Sequence, residues 1–192
     1  VLQKSPLFRD ISRQNLSAML GCLGAKVLSC QKKETILSEG EPARFIGIVL
    51  SGSVQILHED YWGNRSIVGV AEPSELFGES FACAGVLEMP VRVAASQQAD
   101  VLLTDCRRIT APCSNACAFH QQAIYNLLRA VAEKNLQFHQ KIQVTSRRTT
   151  KEKLLAYLLL QTEKSHSPSF EIPYNRQELA DYLGVDRSGL SV

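Results

Sequence analysis

The chain has 192 residues, 45% hydrophobic and 21% charged, with a net charge of +2. That allows one or two ordinary globular domains, and no uncharged run approaches the ~18 residues of a membrane helix. The charge is too small to announce a nucleic-acid partner by itself, so any such argument must come from where charges sit.

No secretory signal opens the sequence, and a cytoplasmic location without membrane contact is the expectation. Val1 rather than Met stands first, which is compatible with missing native residues and with a removed signal. Six cysteines, Cys22, Cys30, Cys83, Cys106, Cys113 and Cys117, read in a reducing cytosol as free and mostly buried thiols.

Residues 1–25 read as a helical lead-in. Ser12 with Asn15, Leu16, Met19 and Leu20 predicts one amphipathic helix, stopped by Gly21 or Gly24. From Cys30 to Cys106 the texture changes to short apolar runs broken by turns. Phe45 to Leu50 is a strand closed by Ser51-Gly52, and Val54 to Leu57 alternates with period two. Tyr61-Trp62-Gly63-Asn64 is turn chemistry, Ile67 to Val70 restarts a strand, and Val91–Val93 and Val101–Leu103 supply two more. Short strands at such regular spacing predict an antiparallel barrel or a double-sheet roll.

From about Asn115 the pattern is helical for some thirty residues. Ile124, Leu128, Val131, Asn135, Phe138 and Ile142 follow at steps of four, three, four, three and four, which is a heptad seam. A seam needs a partner helix, and the simplest is the same helix of a second copy, giving a homodimer. Asn135 at a core position would pair with its twin and fix the register of a parallel dimer. The other reading packs this helix on its own domain and leaves Asn135 half exposed.

A break at Val144 to Thr149 precedes Thr149-Thr150-Lys151-Glu152, a capping-box signature, and a helix bearing Leu154, Leu155, Tyr157, Leu158 and Leu159. Ser165 to Ser169 reads as a loop and Phe170 to Pro173 as a short extended piece. From Arg147 onward seven basic side chains stand against six acidic ones, so bulk charge is silent here too. The final stretch is more informative. Tyr174 or Asn175 begins a helix with the apolar face Leu179, Ala180 and Leu183; Gly184 takes a turn needing a positive φ, and Val185 plugs the gap. Asp186 caps a second helix beginning Arg187-Ser188-Gly189-Leu190. That is helix-turn-helix patterning, in which the second helix faces base edges in the major groove of a duplex. Arg187 is placed to bind guanine or a phosphate, Ser188 and Ser191 to reach bases or phosphates, and Arg176 and Gln177 to contact phosphate. The alternative is two core helices with a tight turn and no DNA role. The sequence stops at Val192 in mid-helix, so most of the recognition helix is expected to be missing.

Three stretches together resemble the cAMP receptor protein and fumarate–nitrate regulator (Crp/Fnr) family, without a close match to either named member. Ser51-Gly52-Ser53-Val54 resembles its strand-Gly-strand signature, Leu76-Phe77-Gly78-Glu79 the start of its phosphate-binding cassette, and Arg176 to Ser191 its helix-turn-helix. The resemblance implies an α+β fold: a cyclic-nucleotide-binding-type β-roll (a double-stranded β-helix) over residues 1–114, a dimerisation helix over 115–146, and a winged helix-turn-helix, cut short, over 147–192. It implies a homodimeric transcription regulator reading a palindromic operator in double-stranded DNA, with RNA polymerase as a further partner if it activates. A small-molecule effector would sit near Gly78, Glu79, Ser80, Met89 and Pro90.

Three departures bear on mechanism. Cyclic-nucleotide binders carry Arg-Ser or Arg-Thr ten residues after the cassette's Glu, where Met89-Pro90 stands here. Met cannot pair with a phosphate, Pro90 has no amide proton, and Arg92, three positions on, points to the other face of a strand. Cyclic AMP held in the family's manner is therefore not expected, and the effector and any cofactor stay unknown. The cluster-binding branch uses a close-set N-terminal cysteine trio, where Cys22 and Cys30 are only two. In the recognition helix Arg187 matches the family's arginine, but Ser188 replaces its Glu and Val192 its Arg.

Cys113, Cys117 and His120, at steps of four and three, share one helical stripe. They offer a metal or haem site, a thiol redox switch, or buried cysteines beside a structural His. A redox- or metal-responsive regulator sensing through this stripe is thus the alternative to a ligand-filled roll. An enzyme on a roll scaffold would need His and carboxylates clustered in the strands; of the four His only His58 lies there, so no catalytic residues are assigned.

Overall fold

The Ser12 hydroxyl accepts from the Asn15 amide and opens α1 (Arg13–Leu23) in the computed structural model, which describes residues 1–63, 65–111 and 118–190. Leu16, Met19 and Leu23 are buried, and the helix closes at Gly24, while Gly21 lies within it. Two 3-10 turns, Leu2–Lys4 and Pro6–Phe8, precede it and bury Leu7 and Phe8.

Eight strands follow: β1 (Lys26–Cys30), β2 (Thr35–Leu37), β3 (Phe45–Ser51), β4 (Val54–Glu59), β5 (Arg65–Ala71), β6 (Leu76–Phe77), β7 (Arg92–Ala95) and β8 (Ala99–Asp105). They form two four-stranded sheets, ordered β1-β8-β3-β6 and β2-β7-β4-β5. A short helix α2 (Glu79–Ala84) interrupts the strands, and α3 (Cys106–Thr110) follows β8. The expected double-sheet roll is present, with long helix α4 (Ala118–Thr145), then α5 (Thr150–Ser165) and α6 (Arg176–Leu183).

Two compact units partition the chain: Val1–His58 with Val68–Glu133, and Glu59–Ile67 with Lys134–Val192. In the first, the period of two along β3 sends Ile46 and Ile48 toward α1, α3 and the first part of α4, where Met19, Leu23, Ile109, Ala123 and Leu127 are buried. Val49, on the other face, joins Val54, Phe77, Met89, Val93 and Val101 in the apolar interior of the roll. Both faces of β3 are thus covered, and it reads as a continuous apolar run.

Asn126, on α4, is buried, and its side-chain Nδ2 donates both hydrogens, to the carbonyls of Leu7 (3.0 Å) and Arg9 (2.7 Å). Gln122 donates in turn to Asn126 Oδ1. One amide thus ties the N-terminal turns to the long helix. Asn126→Ala should cost about 2 kcal/mol, because it strands carbonyls as well as removing bonds. Urea unfolding measures it, and an unchanged midpoint would show that the tie does not stabilise the unit.

In the second unit, Val144, Tyr157, Leu179 and Leu183 form a separate core. Tyr157 packs on Tyr182 (centroids 5.5 Å apart), which stacks on Tyr174 (5.1 Å). Burial pushes the Tyr157 phenol up to about 12. The Thr149 and Glu152 side chains make the reciprocal capping box at the start of α5, as the sequence predicts. Phe170 to Pro173, expected as an extended piece, forms no strand. No helix among the described residues is long and apolar enough to cross a membrane.

Candidate functional site

Three places carry the residues that the sequence singles out. The first is the roll. Gly78 precedes α2, and Glu79, its first residue, is only 1% exposed. The half-buried Ser80 hydroxyl lies 3.4 Å from Glu79 Oε1. Met89 turns into the apolar interior of the roll, and its backbone is held by Gly40 and Glu41, while Pro90 is exposed. A Met in that interior supplies packing and offers no cation to a phosphate.

The second place is α4. Ala123, Asn126, Leu127 and Ala130 face the first unit and are buried. Ile124 (39% exposed), Leu128 (67%), Phe138 (39%) and Ile142 (61%) lie open on the chain, with Asn135 exposed between them. Val131 alone of the seam packs against the core of its own unit. Tyr125 and Leu136 are exposed as well; the heptad count skips both, although their side chains widen the apolar strip.

His120 on the same helix is buried, and its Nε2 donates to the Arg108 carbonyl at 3.0 Å. Its stripe partners Cys113 and Cys117 lie outside the described residues. No group of three or more His, Cys, Asp or Glu that could hold a metal is found among the described residues. The cysteines depart from the mostly buried expectation: Cys30 and Cys106 are buried, but Cys22 and Cys83 are exposed.

The third place is the C-terminal pair of helical segments. Asn175 Oδ1 accepts from the amides of Gln177 and Glu178, and the Glu178 carboxylate accepts from the Asn175 amide, a second capping box. Leu179, Ala180 and Leu183 are buried, as the sequence predicts. Gly184 is left-handed at φ 62°, and Val185 behind it packs on the tyrosine core. Lys153 on α5 reaches the carbonyls of Leu183 and Gly184, each at 3.3 Å, and steadies the turn. The next segment, Arg187–Leu190, is a 3-10 turn where the sequence predicts an α-helix; the Gly189 amide donates to the Asp186 carbonyl. A 3-10 turn is the usual form of so short a helical piece.

Arg176, Arg187 and Ser188 are exposed, and Ser191 lies outside the described residues. Gln177 is engaged: its amide donates to Asp181 Oδ1 at 2.9 Å, while Arg65 donates to Asp181 Oδ2 at 2.8 Å. Sequence reasoning missed the Arg65–Asp181 pair, because Arg65 is remote in the chain. Lys141 was missed for the same reason. It donates to the Ile67 carbonyl, lies 4.4 Å above the Tyr182 ring, and burial lowers its pKa to about 8.

Residues 27–107 match the cyclic nucleotide-binding domain family. The chain is 27% identical over 157 residues to the nitrogen fixation regulation protein FixK of Bradyrhizobium diazoefficiens, covering 79% of this chain and 63% of that protein. This chain therefore spans less than two thirds of that relative's length. The FixK2 structure of Bradyrhizobium japonicum superposes with a TM-score of 0.67 at 22% identity, covering 87% of this chain and 81% of that one. CLP of Xanthomonas campestris, a c-di-GMP responsive global regulator, gives a TM-score of 0.71 at 16% identity, with 90% and 86% covered. At such identities the two superpositions show the shared fold. The roll and its matched segment define a protein with a cyclic nucleotide-binding-type domain. Over most of its length the chain is also similar in sequence to a nitrogen fixation regulation protein.

Proposed function

We propose that the protein is a cytoplasmic, homodimeric transcription regulator that reads a palindromic site in double-stranded DNA with the segment after Gly184. The observation that carries this reading is local. A doubly capped α6 ends in a left-handed glycine, and exposed Arg187 and Ser188 follow it directly. That is the spacing in which a second helix presents its first residues to base edges. Leu179, Ala180 and Leu183 hold the arrangement from below, and the Lys153 contacts hold the turn itself.

The effector binds in the first unit and is not a cyclic nucleotide held in the family's manner, because Met89 contributes apolar packing where a phosphate would require a cation. A ligand that fits one arrangement of the dimer better than another would shift the population of the DNA-reading state, with α4 carrying the bias. Whether RNA polymerase is a partner depends on whether the protein activates.

Arg187→Ala in the full native chain should weaken binding to a selected duplex by roughly 5- to 150-fold, the effect of losing about 1–3 kcal/mol at one base-reading arginine. Fluorescence anisotropy measures it. Unchanged affinity, with unchanged thermal unfolding, would remove Arg187 from the interface and the reading with it.

A further inference from the structure

The cysteines of α2 and α3 belong to none of the functions above, yet they meet. Cys83 Sγ and Cys106 Sγ lie 3.7 Å apart, although 23 residues separate them in sequence. Cys83 is exposed on α2, whereas Cys106 is buried as the first residue of α3. Both residues line a groove of about 430 Å³ together with Arg44 and Arg107. We propose that Cys83 and Cys106 are a reactive dithiol site for small hydroperoxides, closing to an intramolecular disulfide.

The geometry supports the reaction at each step. The sulfurs must approach by only about 1.7 Å to reach bonding distance. Either sulfur can donate across the 3.7 Å; with Cys83 as the donor, the bond favours the Cys106 thiolate and pushes the Cys83 thiol up. Burial and the adjacent Asp105 carboxylate act against that thiolate, so the hydrogen bond from Cys83 is what favours it. The Cys106 thiolate attacks a peroxide oxygen: an S–O bond forms, the O–O bond breaks, and hydroxide leaves and takes up a proton. Cys106 is then a sulfenic acid. Cys83 sulfur attacks that sulfur, an S–S bond forms, the S–O bond breaks, and water departs carrying the Cys83 proton. Two thiols lose two electrons, and one hydrogen peroxide becomes two waters. The product would fasten α2, which begins at Glu79, to the start of α3.

The test uses the reduced full chain, treated with equimolar hydrogen peroxide, quenched with N-ethylmaleimide and mapped by mass spectrometry. The expected result is a loss of about 2 Da before alkylation, a cross-linked peptide pair containing Cys83 and Cys106, and full reversal by dithiothreitol. Cys83→Ser, at an exposed position, should leave a sulfenic acid on Cys106 that dimedone traps. Cys106→Ser should slow peroxide consumption by about tenfold or more, since it removes the favoured thiolate. The proposal is overturned if both thiols remain alkylatable after peroxide, if the bond formed joins other cysteines such as Cys22 of two chains, or if dimedone labels Cys83 in place of Cys106.

Discussion

Gly52→Ala should destabilise the first unit by about 3 kcal/mol or more. Two costs combine. Gly52 has φ +74°, where an L side chain costs about 1–2 kcal/mol. A Cβ there would also stand 2.1 Å from the Gln98 carbonyl oxygen and 2.8 Å from the Ala99 Cα. Those are backbone atoms at the start of β8, paired with β1 and β3 and unable to swing aside as a flexible side chain can. Gly184 is the control: its φ is +62°, but nothing lies within 4 Å of its Cβ position. Gly184→Ala should therefore cost only about 1–2 kcal/mol, the conformational part. Urea titration of the three proteins separates the contributions. Equal losses at the two glycines would mean that the close approach to β8 contributes nothing.

The second large effect concerns the open strip on α4. Leu128→Glu combined with Ile142→Glu should raise the dimer dissociation constant by about 1,000-fold or more. Burying one such side chain contributes about 1.5–3 kcal/mol, and a two-fold axis counts each position twice. The fold of the single chain should survive, because Leu128 is 67% exposed and Ile142 61% exposed before any partner is added. Sedimentation velocity across a concentration series, with circular dichroism alongside, measures both expectations. A double variant that sediments as the parent does would take the seam out of the interface. A variant that loses its circular dichroism would instead place these residues in the core of one chain.

The same contrast explains what the sequence could and could not reveal. Strands β3, β4, β5, β7 and β8 were legible because their apolar runs are bounded by turn residues. Strand β1 was not, since four of its five residues are exposed and the alternation is lost. Strands β2 and β6 have three and two residues, too few to show a period. The Thr149 cap was legible through Glu152 three positions on, whereas the Ser12 cap and the Asn175 capping box were read only as helix beginnings. Contacts across long sequence distance left no local trace. Asn126 with Leu7, Arg65 with Asp181, Lys141 with Tyr182, and Cys83 with Cys106 are of that kind. The cassette lies between these extremes. Leu76 to Glu79 announces itself by motif, while the fate of Met89 depends on which face of the roll it meets.

The central claim is that this chain, as a dimer, reads DNA, and one selection tests it most directly. The full native chain is incubated under reducing conditions with a pool of random duplexes, and the retained DNA is sequenced. The account predicts enrichment of a two-fold palindrome with half-sites about one helical turn apart, either with the protein alone or once cell metabolites supply the effector. No enriched sequence under either condition would contradict it.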